Sequence, residues 1–312
     1  MLKNNSSVFW QPKSTGDGRF KNWLEGLNDW NLSRSRFWGT PIPVWVTKDE
    51  KEVVCVGSVK ELFELCEVSV AAGFMNENPL KGFIVGDMSD QNYNSIDLHK
   101  HVVDKIILCS DSGKKMFREP DLIDVWFDSG AMPFAQFHYP FENKSVVDDR
   151  VGFPADFIAE GVDQTRGWFF TLHAISSMCF DSVAFKSVIS NGLVLDSFGQ
   201  KMSKRLGNVI NPFDLIGKYG SDPVRWYMLT NANPWENIKF NIDGVEEVRR
   251  KFFGTLFNTY SFFSLYANID GFLYKEDKKP FKKRSLLDRW ILSELSILIS
   301  DCEKSFDGLN AT

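Results

Sequence analysis

Two lysines three residues apart sit in the stretch Lys201-Met202-Ser203-Lys204-Arg205, which follows Phe198-Gly199-Gln200. Lysines so spaced on a glycine-flanked loop can close on a polyphosphate and offset the charge that builds on a departing pyrophosphate. A bare pentapeptide of this kind also reads as a solvated basic loop; its place just after a predicted strand favours the phosphate reading. A second stretch, Glu160-Gly161-Val162-Asp163-Gln164-Thr165-Arg166-Gly167-Trp168-Phe169, lies where a predicted strand gives way to a helix. Open α/β sheets bind ligands at that place. Gly161 lets a ligand approach the backbone. Asp163 is placed to accept hydrogen bonds from ribose hydroxyls, and it also suits a helix cap. A third stretch is Asp124-Val125-Trp126-Phe127-Asp128-Ser129-Gly130. A Trp at a strand end beside a Gly can wall an apolar pocket, although Trp126 and Trp168 also read as core residues. The fourth, Trp30 to Pro43 (WNLSRSRFWGTPIP), mixes arginine with aromatics. RNA-contacting segments do so, and so does a structural turn into a strand.

Other chemistries find no support. The four histidines (His99, His101, His138, His173) lack metal-ligand spacing such as HExxH, and no G-x-S-x-G elbow is present. His99 and His101 flank Lys100 in an extended segment and read as structural or surface residues. The five cysteines (Cys55, Cys66, Cys109, Cys179, Cys302) include no CxxC pair and are odd in number. That argues against a disulfide framework or a zinc site and for free core thiols in a reducing cytosol.

The elements that must position these residues follow from the apolar pattern. The 312 residues have room for about two domains of roughly 150 residues. Thirty-six Lys+Arg against 41 Asp+Glu leave a net charge of -5, so a strongly basic nucleic-acid coat is absent. The 28 Phe and 10 Trp imply large buried payloads, some flanking a flat ligand. Residues 1–40 show no strong period. Short strands are expected at Pro43–Thr47 and Glu52–Val56, with a helix at Val59–Cys66; residues 71–100 read as a loop-like insertion before a strand at Asp104–Leu108. Further strands are expected at Asp124–Phe127, Phe153–Glu160 and Ser187–Leu195, with a helix at Gln164–Phe180 between the last two. Strand, helix, strand in that order implies a parallel sheet with a right-handed crossover. After Pro212 the pattern turns helical, starting at Ser221-Asp222-Pro223 and continuing at 245–267 and 285–307 around the linker Lys275–Arg284. Phe253, Leu256, Phe257, Tyr260, Phe263 and Ala267 recur at three- and four-residue steps. They predict an aromatic-faced helix packed in a bundle, with the Phe run at 252–263 in the core. No signal peptide or membrane span is read from the sequence.

Together these stretches resemble class I aminoacyl-tRNA synthetases, and among them the isoleucyl group. KMSKR at 201–205 looks like the KMSKS loop of that class, with Arg205 in place of the final Ser. EGVDQTRGWF at 160–169 and DVWFDSG at 124–130 are similar to the isoleucyl pattern, and WNLSRSRFWGTPIP at 30–43 resembles the return from an inserted editing domain into the nucleotide-binding fold. The resemblance spans almost the whole chain and is thinnest at 67–100. It implies an α/β chain: the second half of a Rossmann-like catalytic domain with a parallel sheet, then an α-helical bundle segment. It divides the chain into 1–40 (tail of the editing insertion and return), 41–120 (a Rossmann strand plus a connective insertion), 121–210 (second half of the nucleotide fold with the KMSKR loop), 211–245 (a stem-contact-like connector) and 246–312 (start of a helical anticodon-binding domain).

The resemblance also implies roles. Glu160, Gly161 and Asp163 contact the adenylate and its ribose, and Gln164 contacts the aminoacyl part. Trp126 and Trp168 bracket a branched aliphatic side chain. Lys201 and Lys204 serve the phosphates, with Met202 and Ser203 completing the ATP-facing loop. The implied reaction activates isoleucine with ATP, its Mg²⁺ carried by the phosphates, and transfers it to tRNA(Ile). A cytoplasmic monomer without zinc and without a membrane partner is expected. The HIGH-type motif and the body of the editing domain are not found within residues 1–312, so the segment alone is expected to fail at adenylate synthesis. Two alternatives stand beside this reading: a valine-activating enzyme, and a non-catalytic tRNA-binding module.

Overall fold

The computed structural model describes residues 1–275 and 277–312. Two compact units are interleaved in sequence. The first comprises Met1–Asn4, Trp23–Ala155 and Thr165–Ala184; the second comprises Asn5–Asn22, Asp156–Gln164 and Phe185–Thr312.

In the first unit, strands Val44–Thr47, Val53–Cys55, Ile107–Cys109 and Lys115–Arg118 form a four-stranded sheet whose neighbours all run antiparallel. The helix Val59–Ala71 starts at Ser58, whose side chain accepts the Glu61 N–H. Its buried Leu62 and Cys66 join Trp45, Leu108 and Met116 in one core. The Trp45 indole N–H donates to the Ile106 carbonyl at 3.0 Å, so this large ring is buried without stranding its polar atom. No strand of residues 41–120 enters the parallel sheet, contrary to the Rossmann strand expected there. The hairpin Val44–Cys55 closes locally instead, and the chain returns to Val44–Thr47 through Lys115–Arg118. The strand expected at 104–108 begins only at Ile107, and the Lys115–Arg118 strand was not expected.

The expected strand at 124–127 is a helix, Val125–Gly130. Asp124 is buried, and its carboxylate accepts the Trp126 N–H at 3.2 Å, which caps the first turn. The extended backbone ends one residue earlier, where Leu122–Ile123 pairs antiparallel with Ser33–Arg34. The helix at 164–180 begins at Trp168. A 3-10 segment, Val162–Arg166, precedes it, and Gly167 separates the two. A further cluster is aromatic: Phe134 stacks on Phe180 at 4.2 Å and meets Phe153 edge-on at 4.9 Å, with Val147 and Ile175 buried beside them.

The second unit contains the parallel sheet, with Phe185–Asn191 central between Phe9–Gln11 and Ala155–Gly161. Phe9–Gln11 runs parallel to the central strand, although no strand is expected from the pattern of residues 1–40. Three residues are too short to show alternation; what secures the strand is Trp10, whose ring packs against Phe20 and Phe185 and whose N–H donates to Asn5 at 2.9 Å. The strand expected over 187–195 is broken. Asn191 ends the central strand, and Val194–Leu195 pairs parallel with Ile238–Lys239. Gly192 sits at the break, where a Cβ would fall 2.2 Å from the Glu236 carbonyl oxygen, so only glycine fits.

Helices Pro212–Tyr219, Ser221–Thr230 and Ile242–Val248 share a core of Leu215, Tyr219, Tyr227, Phe240 and Val245. The long helices Gly254–Ile269 and Leu286–Asp307 follow, as the pattern predicts. Neither has a buried residue, and Phe257 and Tyr260 are 68% and 67% exposed. The Phe run at 252–263 is therefore not core here. Periodicity marks the face that seeks cover but not what covers it. The free cysteines also depart from expectation: only Cys66 is buried, while Cys55, Cys179 and Cys302 are exposed. No described helix is long and apolar enough to cross a membrane.

Candidate active site

The lysine loop is built on two side chains of the second unit. Leaving strand Val194–Leu195, the chain turns at Asp196. The Asp196 Oδ1 accepts the N–H groups of Phe198 at 3.0 Å and Gln200 at 2.8 Å. Gly199, at φ +84°, closes the turn, and its N–H donates to the Asp196 carbonyl. Asn208, beyond the loop, donates from Nδ2 to Asp196 Oδ2 at 2.8 Å and accepts the Ser203 N–H at 2.9 Å. These donors, the Asn208 amide foremost, hold the Asp196 carboxyl below the usual carboxylate range. The Ser203 side chain caps the short 3-10 turn Lys204–Leu206 by accepting the Leu206 N–H. Met202 packs against the core of the following helices. Lys201 and Lys204 are exposed, and neither ammonium pairs with another side chain among the described residues.

The second cluster of this unit is Glu160, Gly161, Asp163 and Gln164. Glu160 and Gly161 end the edge strand of the parallel sheet. A Cβ on Gly161 would lie 2.6 Å from the Asp163 Oδ1, so the missing side chain makes room for that carboxylate beside the backbone. Asp163 lies inside the 3-10 segment rather than ahead of it. Its Oδ2 accepts from the Gln164 amide at 3.1 Å. Asp163 and Glu160 are exposed at the carboxyl end of the strand, where a ligand can reach them.

Trp126 and Trp168 belong to the first unit, in the facing helices Val125–Gly130 and Trp168–Phe180. The Trp168 indole N–H donates to the Ser129 carbonyl at 3.0 Å, which fixes its ring against the shorter helix. Trp126 stands in the first turn of that helix and is 43% exposed, so it is not a core residue. Gly130 permits the close packing, since a Cβ there would come within 3.0 Å of the Thr171 backbone. The fourth stretch supports this arrangement structurally. Trp30 and Arg34 donate to the Asp124 Oδ2 at 3.1 and 2.5 Å, while Phe37 and Trp38 are exposed.

The roles of Asp196, Asn208 and Asp124 are not legible in the sequence: the first two hold loop backbone and each other, and Asp124 holds the Trp30 and Arg34 side chains besides the Trp126 N–H. An Asp three residues before a Gly, ahead of the lysines, was the available signal for the first. The first unit also holds an apolar cavity of about 530 Å³. Phe127 and Asp128, rather than Trp126, are among its lining residues, with Ile42, Trp45 and Leu62. Burial there raises the Asp128 carboxyl above its ordinary value, and Thr40 donates to it at 3.2 Å. Among the described residues, no group of three His, Cys, Asp or Glu side chains gathers to hold a metal.

Residues 1–241 match the family model described as tRNA synthetases class I (I, L, M and V). The chain belongs to this family. Over its full length it is 62% identical to the "Isoleucine--tRNA ligase" of Bacteroides fragilis and 63% identical to that of Bacteroides thetaiotaomicron. The protein of the same description from Clostridium tetani is 46% identical. The chain spans about 28% of the length of these curated relatives. Two solved structures share its class I synthetase fold. The ternary complex of Agrobacterium radiobacter K84 agnB2 LeuRS with tRNA and LeuAMS aligns over 91% of this chain and 34% of that one, with a TM-score of 0.62 at 22% identity. Mycobacterium tuberculosis methionyl-tRNA synthetase bound by methionyl-adenylate aligns over 98% and 45%, with a TM-score of 0.57 at 16% identity. The α/β architecture expected from the motifs is thus that of class I synthetases.

Proposed function

We propose that this chain is the second half of the catalytic domain of an isoleucine–tRNA ligase, followed by the start of its helical anticodon-binding domain. The observation that carries the reading is 62% identity along the whole chain to relatives described by that activity. The KMSKR loop supports it, presenting two exposed lysines on a backbone held at both ends. In the proposed reaction the isoleucine carboxylate attacks the α-phosphate of ATP. A carboxyl–phosphate bond forms and the bond to pyrophosphate breaks. A hydroxyl at the 3′ end of tRNA(Ile) then takes the isoleucyl group and AMP leaves. Neither step needs a covalent protein intermediate, so positioning and charge stabilisation supply the rate.

Lys201 and Lys204 offset charge on the departing pyrophosphate, with Met202 and Ser203 shaping the loop beneath them. Asp163, admitted to the strand end by Gly161, accepts from the ribose, and Glu160 contacts the adenylate. Gln164 orients the aminoacyl part, and Trp126 and Trp168 wall the branched side chain. Mg²⁺ arrives with ATP, held by phosphates and water. The domain limits at 40, 120, 210 and 245, a monomeric state and a cytoplasmic setting belong to the same proposal. The test is amino-acid-dependent ATP–pyrophosphate exchange by the full-length protein carrying this segment. Isoleucine should support exchange with the highest kcat/KM, and valine, one methylene smaller, more weakly. Equal or better exchange with valine would overturn the assignment.

A further inference from the structure

We propose that Asp196 and Asn208 are positioning residues that hold the lysine loop in the shape the activation step uses. The inference rests on the pyrophosphate-facing reading of that loop. The pair closes the loop from both ends. Asp196 spends one oxygen on the N–H groups of Phe198 and Gln200 and the other on the Asn208 amide. Asn208 spends its own oxygen on the Ser203 N–H, and its Nδ2 also lies 3.4 Å from the Lys201 carbonyl. Backbone on both sides of Lys201 is thereby tied to one Asp–Asn contact.

The arrangement has an electrostatic consequence. A carboxylate at the base of a loop bearing two lysines is a candidate ion-pair partner for them. Asp196 has three N–H donors instead, which hold its carboxyl below the usual range. The ammonium groups stay uncommitted while the main chain beneath them is fixed. Charge stabilisation of a leaving group is most effective when the charges are already in place and need not reorganise.

Donor and acceptor roles in this contact are distinct, so exchanging them is the test. In Asn208→Asp two carboxylates face each other, and in Asp196→Asn two amides do. In the double variant the amide at 196 donates to the carboxylate at 208, while both oxygens still accept the same backbone N–H groups. Only the long contact to the Lys201 carbonyl is lost. Isoleucine-dependent ATP–pyrophosphate exchange is measured on the full-length protein, with kcat expressed per active site titrated by isoleucine binding. Each single variant should lose roughly 10- to 100-fold in kcat with the KM for isoleucine little changed, and the double variant should recover to within about fivefold of the parent. Singles without effect, or a double variant as slow as the worse single, would overturn the proposal. Lys204→Ala is run alongside. If it leaves exchange unchanged, the loop reading and this inference fall together. If it slows exchange while the single variants do not, only the positioning role falls.

Discussion

Gly161 is where binding and folding come apart. The atom that a Cβ would meet there is the movable end of Asp163, not backbone. Gly161→Ala should therefore leave stability within about 0.5 kcal/mol in urea unfolding, as for most surface changes. It should displace the carboxylate and raise the KM for ATP roughly 10-fold in exchange assays, the cost of losing about one hydrogen bond to a charged group. A large stability loss with unchanged KM would mean that glycine serves the strand end rather than the ligand. The motif residues were legible because their types and spacing state a chemistry. Two lysines three apart and a Gly two before an Asp could be read directly. Asp196, Asn208 and Asp124 could not, because each acts through backbone N–H groups or partners distant in sequence. Arg34 reaches Asp124 across 90 positions.

Between elements, the pairing of helices Val125–Gly130 and Trp168–Phe180 decides where the two tryptophans stand. Gly130 sits at a tight point of this contact. A Cβ would lie 2.9 Å from the Ile175 Cδ1 and 3.0 Å from Thr171 backbone. Gly130→Ala should cost about 1–3 kcal/mol, the usual range for overpacking. Urea unfolding of parent and variant measures it, and an unchanged midpoint would show that the helices separate freely. The long helices and the α/β alternation were visible in the apolar spacing. The 124–127 segment misled because Val-Trp-Phe favours strands, while the decisive feature is the side-chain cap from Asp124. The broken strand at 192 and the three-residue strand Phe9–Gln11 were hidden for another reason. Both depend on neighbours far along the chain: Glu236 in one case and Phe185–Asn191 in the other.

At the scale of the molecule, the fold class was legible and the grouping of segments was not. The chain crosses between its two units five times, in step with contacts rather than with composition. Residues 41–120 contain an antiparallel sheet of two local strand pairs, joined where Trp45 pairs with Arg118 far along the chain. The aromatic face of helix Gly254–Ile269 shows the limit of pattern reading, since three- and four-residue spacing identifies a sticky face without naming its partner. The mildly acidic net charge of -5 leaves room for local basic sites such as the loop at 201–205. The proposed role of this loop is to stabilise the pyrophosphate leaving from ATP as isoleucine is activated. Its most direct measurement is the single-turnover rate of isoleucyl-adenylate formation by the full-length protein and its Lys204→Ala variant, at saturating isoleucine and ATP. A fall of roughly 100-fold is expected, typical for loss of one preorganised stabilising group, with isoleucine affinity unchanged. An adenylate formation rate equal to that of the parent would contradict it.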